Sequence, residues 1–570
     1  MKNRELADLF DKMADILEFK DENPFKINAY RKASRVLGDL TQDIQEIAQS
    51  GGLKKVPGIG EGMAQKIDEY LKTGKISKYE EIKKGVSDEL IGMMEIPGMG
   101  PKTLAMIHKE SGINNLSGLE KAIENGSLIG LPGMGEKKAE NIRRGIELLK
   151  ASRGRMNLGI AFPLARRIVE TLREKTGSRK IEWAGSLRRM RENIGDIDIL
   201  ATGPNHQKIV HTFTHLPEVR EVLASGETKA SVIVEGGVQI DIRVVDEDSY
   251  GAALQYFTGS KGHNIHLRGI AKAKGIKINE YGIFKGEKKI GGKEEKDVYR
   301  ALGMNWIEPE LREDRGEIEA AQTGNLAKLI QEPEIKGDLH VHSKWSDGTS
   351  SIEEIAKAAQ KRGYQYVALC DHSKSLRIAH GLDETRLLKQ IEEIDRINEK
   401  LKGFQILKGT EVDILTDGKI DHPDKVLRSL DYVVAAVHSG FKQEKEKMTK
   451  RIVRALENPL VHCLAHPTGR LLGARAPYEV EIDEVMEAAK RNGKALEINA
   501  TLERLDLDDI HSRKAKEMGI KLAIGTDAHH LDQLWMISLG VGVARRGWLE
   551  TPDLLNTFTL KEILKWCRRQ

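Results

Sequence analysis

A chain of 570 residues, 39% hydrophobic and 31% charged, is too long for one hydrophobic core and too apolar to be disordered, so three or four globular domains are expected. A formal net charge of +4 is too small to identify a polyanionic partner by itself, and no uninterrupted apolar run approaches membrane-spanning length. The three separated cysteines, Cys370, Cys463 and Cys567, read as reduced thiols; with a charged, amphipathic start that has no apolar leader core, a cytoplasmic protein is expected.

The first chemistry-bearing feature in chain order is a threefold repeat. KKVPGIGEGMAQKIDEYL (54–71), MEIPGMGPKTLAMIHKE (94–110) and IGLPGMGEKKAENIRRGIE (129–147) share an apolar-Pro-Gly-apolar-Gly turn followed by a helix. The paired glycines are Gly58 and Gly60, Gly98 and Gly100, and Gly133 and Gly135. They allow a tight turn and close approach of backbone to a ligand, and the following helix offers free N–H groups to a phosphate. One copy fits a plain turn between packed helices. Three copies, each leading into a helix with lysine or arginine, favour contacts that grip DNA without reading its sequence. The pattern resembles the helix-hairpin-helix motif of DNA repair proteins, which implies a DNA partner and a monovalent cation at the turns.

Around the first copy, NPFKINAYRKASRVL (23–37) and VPGIGEGMAQKIDEYLKTGKISKYEEI (56–82) resemble the small N-terminal domain of the polymerase beta-like, family X DNA polymerases. The resemblance implies a domain that holds the downstream 5′-phosphate of a gap. Some members also have a Schiff-base lysine there, with 5′-deoxyribose-phosphate lyase activity, and Lys66 stands at the matching place. Such a lysine must be deprotonated. A lysine on a solvated cationic helix face is the plain alternative.

EWAGSLRRMRENIGDIDILATG (182–203) then alternates acid and isoleucine. In a strand, Asp196 and Asp198 share one face while Ile197 and Ile199 face the core. Adjacent carboxylates repel unless a divalent cation neutralises them, and Mg²⁺, which binds through carboxylates and substrate phosphates, suits the role. GVQIDIRVVDE (237–247) offers Asp241 from a second alternating run. Gly185, Ser186, Arg188 and Arg189 precede the acids on a turn able to present N–H, hydroxyl and guanidinium groups to a triphosphate. Asp-Ile-Asp alone fits a solvated edge strand. The whole set resembles the family X nucleotidyltransferase signature, which implies two-metal transfer with Mg²⁺ or Mn²⁺ on Asp196, Asp198 and Asp241.

YFTGSKGHNIHLRGIAKAKGIKINEYGIF (256–284) extends the resemblance to the segment that holds the incoming nucleotide. It implies that Tyr256 and Phe257 flank the sugar, with Tyr256 crowding a 2′-hydroxyl. Gly259 would end the turn, Asn264 would face the minor-groove side of the nascent pair, and Arg268 would contact template. Lys261 departs from the family, which has an acid at that place, so nucleotide preference is in question there.

Histidine usage changes late in the chain: eleven of the seventeen lie at or after residue 340. GDLHVHSKWSDG (337–348) brings His340, His342 and Asp347 together. VALCDHS (367–373) ends on Asp371-His372, and later runs supply Glu411, His438, His466, Asp527 and His529. Each lies at or just beyond the end of an apolar run, with helical stretches at 351–363 and 480–493 between, which describes a βα barrel with its site at one mouth. Mixed imidazole and carboxylate donors favour Zn²⁺, Mn²⁺ or Fe²⁺ and point to hydrolysis of a phosphate ester by activated water.

The array resembles the polymerase-and-histidinol-phosphatase (PHP) domain, a distorted seven-stranded βα barrel with up to three ions. The resemblance implies one ion on His340, His342, Glu411 and Asp527, and a second on Asp347, His372 and His529. A third would use His438 and His466 and share Glu411. In family X members with this domain it implies a Mn²⁺-dependent 3′–5′ exonuclease, in some with abasic-site endonuclease activity. His380, His422, His511 and His530 are expected bystanders, and His462 is left open.

The expected chain is multidomain α/β. Residues 1–90 form a helical 5′-phosphate-binding domain with a helix-hairpin-helix, 91–150 a fingers-like region with two more, and 151–250 a nucleotidyltransferase palm. Residues 251–315 form a thumb-like nucleotide-selection domain, 316–336 a linker and 337–570 the PHP phosphoesterase. The expected function is template-directed gap filling in base excision repair. Its partners are gapped or nicked DNA with a 5′-phosphate and dNTPs, with no membrane, and a monomer is the default. The alternatives are a DNA-binding PHP phosphoesterase with an inactive polymerase domain, which the intact acid triad disfavours, and a PHP enzyme acting on a small phosphoester.

Overall fold

The computed structural model describes residues 2–39, 44–56, 59–94, 96, 99–152, 156–234 and 237–568, which divide into two compact units. The first, residues 1–153 with 473–475, is helical. Its opening helix Lys2–Phe19 puts Leu6, Phe10, Met13 and Leu17 on one buried face, the spacing of an amphipathic helix. The helices expected after the glycine turns are Glu61–Thr73, Pro101–Ser111 and Glu136–Ser152. The first two stop at Gly74 and Gly112, whose φ of +72° and +69° close each helix with a left-handed residue.

The second unit holds the remainder. Its five-stranded sheet has the order Lys180–Trp183, Ile197–Thr202, Gln239–Val244, Lys229–Val234, Val219–Ser225. The two central strands run parallel, and their isoleucines, Ile197, Ile199, Ile240 and Ile242, are buried together with the helices Leu158–Thr176 and His206–Thr214. Burying those faces leaves the alternate residues, Asp198 and Asp241, on the other side of the sheet. Next come the helices Tyr250–Thr258 and Lys261–Ala273, a three-stranded antiparallel sheet over 277–291, and the helix Glu295–Ala301.

The stretch 316–336, expected as a linker, is folded. It forms the helix Glu317–Thr323, with Glu317 and Ile318 buried, and the short turn Glu332–Glu334. Its polar composition misleads because Glu317 is an internal anchor: its carboxylate accepts from His263 Nδ1 at 2.7 Å and from the N–H groups of Asp314 and Arg315 at 2.9 and 2.6 Å.

Seven parallel strands then pair in sequence order: Gly337–Val341, Tyr366–Leu369, Gln405–Asp413, Tyr432–Ala436, Cys463–Leu464, Ala495–Asn499 and Leu522–Gly525. They are buried on both faces, as parallel strands walled by helices are. The ring nearly closes between the last strand and the first, where Asp527 N–H donates to the His340 carbonyl at 2.8 Å and His342 N–H to the Ala528 carbonyl at 2.9 Å. Among the described residues no helix is long and apolar enough to cross a membrane.

One buried ion cluster pins the five-stranded sheet domain to the segment after it. Glu295 accepts from Arg188 at 2.6 and 2.9 Å, from Arg312 at 2.6 Å and from Trp306 Nε1 at 3.1 Å. Burial works against its charge, but Arg312 and Arg188 outweigh it and hold the carboxyl well below the usual range. Glu295→Leu would strand two buried guanidiniums, so a loss of about 3–5 kcal/mol in unfolding free energy is expected from urea denaturation, against under about 1 kcal/mol if the cluster were dispensable.

Candidate functional site

The first site grows from the parallel ladder. Pairing of Ile197–Thr202 with Gln239–Val244 sets Asp198 directly opposite Asp241, and Asp196, exposed, enters just before the strand. The three offer carboxylate oxygens within 4.8 Å of one another. Burial first, then the charges of Asp196 and Asp241, push Asp198 up to about 7. Asp241 is steered by its neighbours, accepting from Ser231 Oγ and from Gln239 Nε2 at 3.1 and 3.2 Å. Sequence reasoning missed Ser231 and Gln239; each lies on a strand beside the acid, and period-2 alternation could have flagged Gln239.

Gly185 opens the turn before the acids with φ +60°, and a Cβ there would lie 2.6 Å from Asp198 Oδ2, so glycine is required. Ser186 is half-buried beside it. The two arginines are engaged within the protein: Arg188 grips Glu295 and Thr258 Oγ1, and Arg189 grips the Thr258 carbonyl at 2.6 Å and Glu313 at 3.1 Å. Tyr256 and Phe257 stand edge to face at 5.2 Å, and the Arg243 guanidinium lies 4.8 Å from the Phe257 ring. Gly259 ends that helix at φ +71°. Asn264 is buried with its amide satisfied, accepting from Gln255 and donating to the Tyr256 carbonyl, both at 2.8 Å. Arg268, one turn further on, is exposed.

The second site gathers all nine donors predicted for the barrel. His342, Asp347, His372 and His529 present atoms within 4.8 Å of one another, as do His340, His342 and Asp527, and His372, Glu411 and His438. His466 Nε2 reaches Glu411 Oε1 at 2.9 Å. Two memberships differ from the expected grouping. His342, stacked on His529 at 4.3 Å, also belongs with Asp347, and His372 bridges Asp347 at 3.5 Å and Glu411 at 2.8 Å. Sequence order places ligands on strand ends but does not say which ring faces which.

The donor set fits a divalent cation that takes mixed nitrogen and oxygen ligands. Glu411 and Asp527 face imidazoles, and no lysine or arginine pairs with either among the described residues. His342 Nδ1 and His466 Nδ1 are buried without hydrogen-bond partners among the described residues. Burial disfavours the charge of Glu411, yet His438, His372 and His340 hold it well below the carboxylate range. Burial, then His529 and His372, press His342 down to about 4.

A second layer orients these rings, and sequence reasoning missed it. Glu497 accepts from His340 Nδ1 at 2.7 Å and from the His466 N–H at 2.8 Å, and Asp413 accepts from His438 Nδ1 at 3.1 Å. Asn499 Nδ2 donates to Glu497 at 3.2 Å and Asp527 at 3.1 Å. A Cβ on Gly525 would strike the Glu497 carboxylate and His340 Cβ, so glycine makes room for that pair. The signal was present in KALEINA, an acid inside an apolar run like that around Glu411.

None of the expected bystanders joins the metal-competent groups. His380 is exposed, His422 is buried without a partner, His511 pairs with Asp508 and His530 with Thr349. His462 is structural: its Nδ1 accepts from the Val433 N–H at 2.9 Å and its Nε2 donates to the Cys567 carbonyl at 3.1 Å.

In the helical unit, Gly60 and Gly100 stand at helix starts with extended backbone, and Gly133 has φ +69°. A Cβ on Gly60, Gly100, Gly133 or Gly135 would meet nothing within 4 Å. Gly58 and Gly98 lie outside the described residues. Lys66 is half-buried 5.7 Å from the Tyr30 ring, its Nζ donating to the Gly62 carbonyl. Burial, then the nearby Lys78, lower its pKa.

Comparison with known proteins assigns these regions to described families. The model for the DNA polymerase beta thumb matches residues 253–313, and that for the PHP domain residues 338–501. A helix-hairpin-helix domain matches 1–76, and a SAM-like helix-hairpin-helix tandem matches 50–110 and 87–147. The chain is similar over its whole length to the DNA polymerase/3′-5′ exonuclease PolX of Bacillus subtilis (strain 168), 40% identical over 574 residues and covering 100% of each. A probable phosphatase of Thermoanaerobacter sp. (strain X514) is 32% identical over 246 residues, 41% of this chain and 96% of its own length. One from Acetivibrio thermocellus is 31% identical over 201 residues, 34% of this chain and 78% of its own.

Glu497→Gln removes the charge behind His340 while keeping the shape. Calorimetric titration with Mn²⁺ or Zn²⁺ should show affinity at the barrel weakened by about 10–100-fold; unchanged affinity would reduce Glu497 to a packing residue.

Proposed function

The chain belongs to the family X DNA polymerases that have a C-terminal PHP domain, and we propose for it a division of labour in which the Asp196–Asp198–Asp241 site fills gaps in DNA and the barrel removes nucleotides from 3′ ends. It is a DNA polymerase with a 3′–5′ exonuclease, in keeping with a repair role. The assignment of residues rests above all on one observation, the register that sets Asp198 opposite Asp241 with Asp196 beside them.

In this reading the three aspartates hold Mg²⁺ or Mn²⁺, which when bound neutralises them and the phosphate charge that develops during transfer. Ser231 and Gln239 keep Asp241 turned toward its neighbours. Gly185 lets the turn come against Asp198, so that its backbone and Ser186 meet the triphosphate. Arg188 stays with Glu295 and fixes the turn, whereas Arg189 exchanges Glu313 and the Thr258 carbonyl for phosphate oxygens. Tyr256 and Phe257 wall the sugar, Gly259 shapes the turn beneath it, Asn264 and its Gln255 partner sit under the nascent pair, and Arg268 meets the template.

In the barrel His340, His342, Asp347, His372, Glu411, His438, His466, Asp527 and His529 hold up to three ions of Mn²⁺, Zn²⁺ or Fe²⁺. When bound, these polarise a phosphoryl oxygen and acidify water. Glu497 and Asp413 hold the His340 and His438 rings with one nitrogen facing inward. Abasic sites are a second substrate class for the same chemistry.

The helical unit grips gapped DNA and its 5′-phosphate. At Gly60, Gly100 and Gly135 a side chain would meet nothing within 4 Å, so these turns leave room for a phosphate backbone or a monovalent cation to approach closely. Lys66, half-buried near other lysines, has the environment a Schiff-base nucleophile needs. The proposed boundaries are 1–90, 91–150, 151–250, 251–315 and 337–570, with 316–336 a folded connection, and a monomer acts in the cytoplasm.

Gapped, 5′-phosphorylated DNA with dNTPs and Mg²⁺ or Mn²⁺ tests the reading. Primer extension should fall by at least about a thousandfold in Asp198→Ala; extension that persists there would relocate the site. Without dNTPs, primer shortening should vanish in His340→Ala while extension remains, and joint loss of both activities would count against two separate sites. Borohydride should trap wild-type protein on DNA bearing a 5′-deoxyribose phosphate but not Lys66→Ala, and equal trapping of both would exclude Lys66 as the nucleophile.

A further inference from the structure

The turn 185–192, on which the nucleotide reading places Gly185, Ser186, Arg188 and Arg189, is held by the C-terminal barrel at three points. The barrel helix Ile537–Arg546 passes so close that the Met190 side chain occupies the space a Cβ on Gly542 would need. Arg470 donates to Glu192 at 2.7 Å. Arg546 Nη1 donates to the Arg189 carbonyl at 2.7 Å and to Glu313 at 2.9 Å, while its Nη2 donates to Asp509 at 2.7 Å.

Glu313 is the hub of this arrangement. It accepts from Arg189 Nε at 3.1 Å and lies 3.7 Å from Arg191 Nη1. The side chains of Arg546, Glu313 and Arg189 are 4%, 10% and 13% exposed, so the charges have little water to fall back on. For Arg189 to meet a triphosphate it must leave Glu313, and a buried carboxylate stripped of its partner is strongly disfavoured. Arg191 is a poor substitute, longer in contact and 37% exposed. Arg546 is the partner that stays, anchored at its other end by Asp509.

We propose that Arg546, contributed by the barrel, is a positioning residue for nucleotidyl transfer: it keeps Glu313 neutralised so that Arg189 can move to the incoming triphosphate. The barrel is then a structural part of the polymerase site as well as the nuclease. This rests on the reading of Arg189 as a triphosphate ligand.

The test is steady-state extension of gapped DNA with full-length protein across dNTP concentrations. Arg546→Met should raise the KM for dNTP by about tenfold with a smaller change in kcat, while shortening of single-stranded DNA by the barrel is unchanged. Adding Glu313→Gln removes the charge that traps Arg189, so the double variant should return toward the wild-type KM. Glu313→Gln alone should leave KM at or below wild type, and it serves if Arg546→Met folds poorly. A merely structural Arg546 would make the double variant no better than the single one, and that result would overturn the proposal, as would an unaltered KM in Arg546→Met. Arg189→Met separates the two levels. If it leaves KM unchanged, the triphosphate reading of Arg189 fails and takes this proposal with it; if it raises KM while Arg546→Met does not, only this proposal fails.

Discussion

A carboxylate withdrawn from water must find a cation or a set of donors, and most of this chain beyond the N-terminal helices is arranged around that requirement. Glu295 has two arginines and a tryptophan N–H; Glu313 has three arginines within 4 Å. Glu317 has a histidine and two backbone N–H groups. These acids are satisfied internally and act as pins. Glu411 and Asp527 are different, because their neighbours are imidazoles that can give up a proton and turn a lone pair inward. Asp198 is different again. Burial first, and then the neighbouring carboxylates of Asp196 and Asp241, push its pKa up to about 7. The partner chosen for each acid thus separates the internally satisfied carboxylates from those proposed to hold metal.

The same distinction decides what could be read from the sequence. Asp196, Asp198 and Asp241 were legible because period-2 alternation with isoleucine fixes which residues share a face, and the parallel ladder then sets Asp198 against Asp241. The nine barrel donors were legible as a group because each lies at or just beyond the end of an apolar run. Glu497 carried the same signal and was passed over, since it sits inside its run and no motif drew attention to it. What could not be read is who partners whom across the fold. Arg188 meets Glu295 107 residues away and Arg546 meets the Arg189 carbonyl 357 residues away, and no local spacing encodes either contact. The polar stretch 316–336 reads as a linker for the same reason: its anchor, Glu317, is explained by His263, 54 residues upstream.

The barrel seam shows how closely scaffold and chemistry are joined. Parallel strands bring their C-terminal ends to one mouth, so each can contribute a side chain there without interrupting its ladder. The bonds that bring the ring round to its first strand use the backbone of the proposed ligands, Asp527 N–H to the His340 carbonyl and His342 N–H to the Ala528 carbonyl. Glycine at 525 then admits the Glu497–His340 pair directly beside that seam. Main-chain pairing thus brings the proposed ligands together, and Glu497, Asp413 and Asn499 bond to His340, His438 and Asp527 behind them.

A nuclease merely appended to a polymerase would need no more than a polar tether. The contact between the barrel and the turn 185–192 is instead a chain of arginine–carboxylate bonds, Arg470 to Glu192 and Arg546 to Glu313 and Asp509, beside a glycine pressed against Met190. Charge-assisted bonds of this kind are directional, because each guanidinium has few geometries that satisfy its donors. Apolar packing crosses the same boundary, with Met190 and Val541 in one core, and the ion pairs add direction to it beside the residues expected to meet the triphosphate. In the proposed division of labour, the barrel that removes nucleotides therefore also positions the turn that receives them.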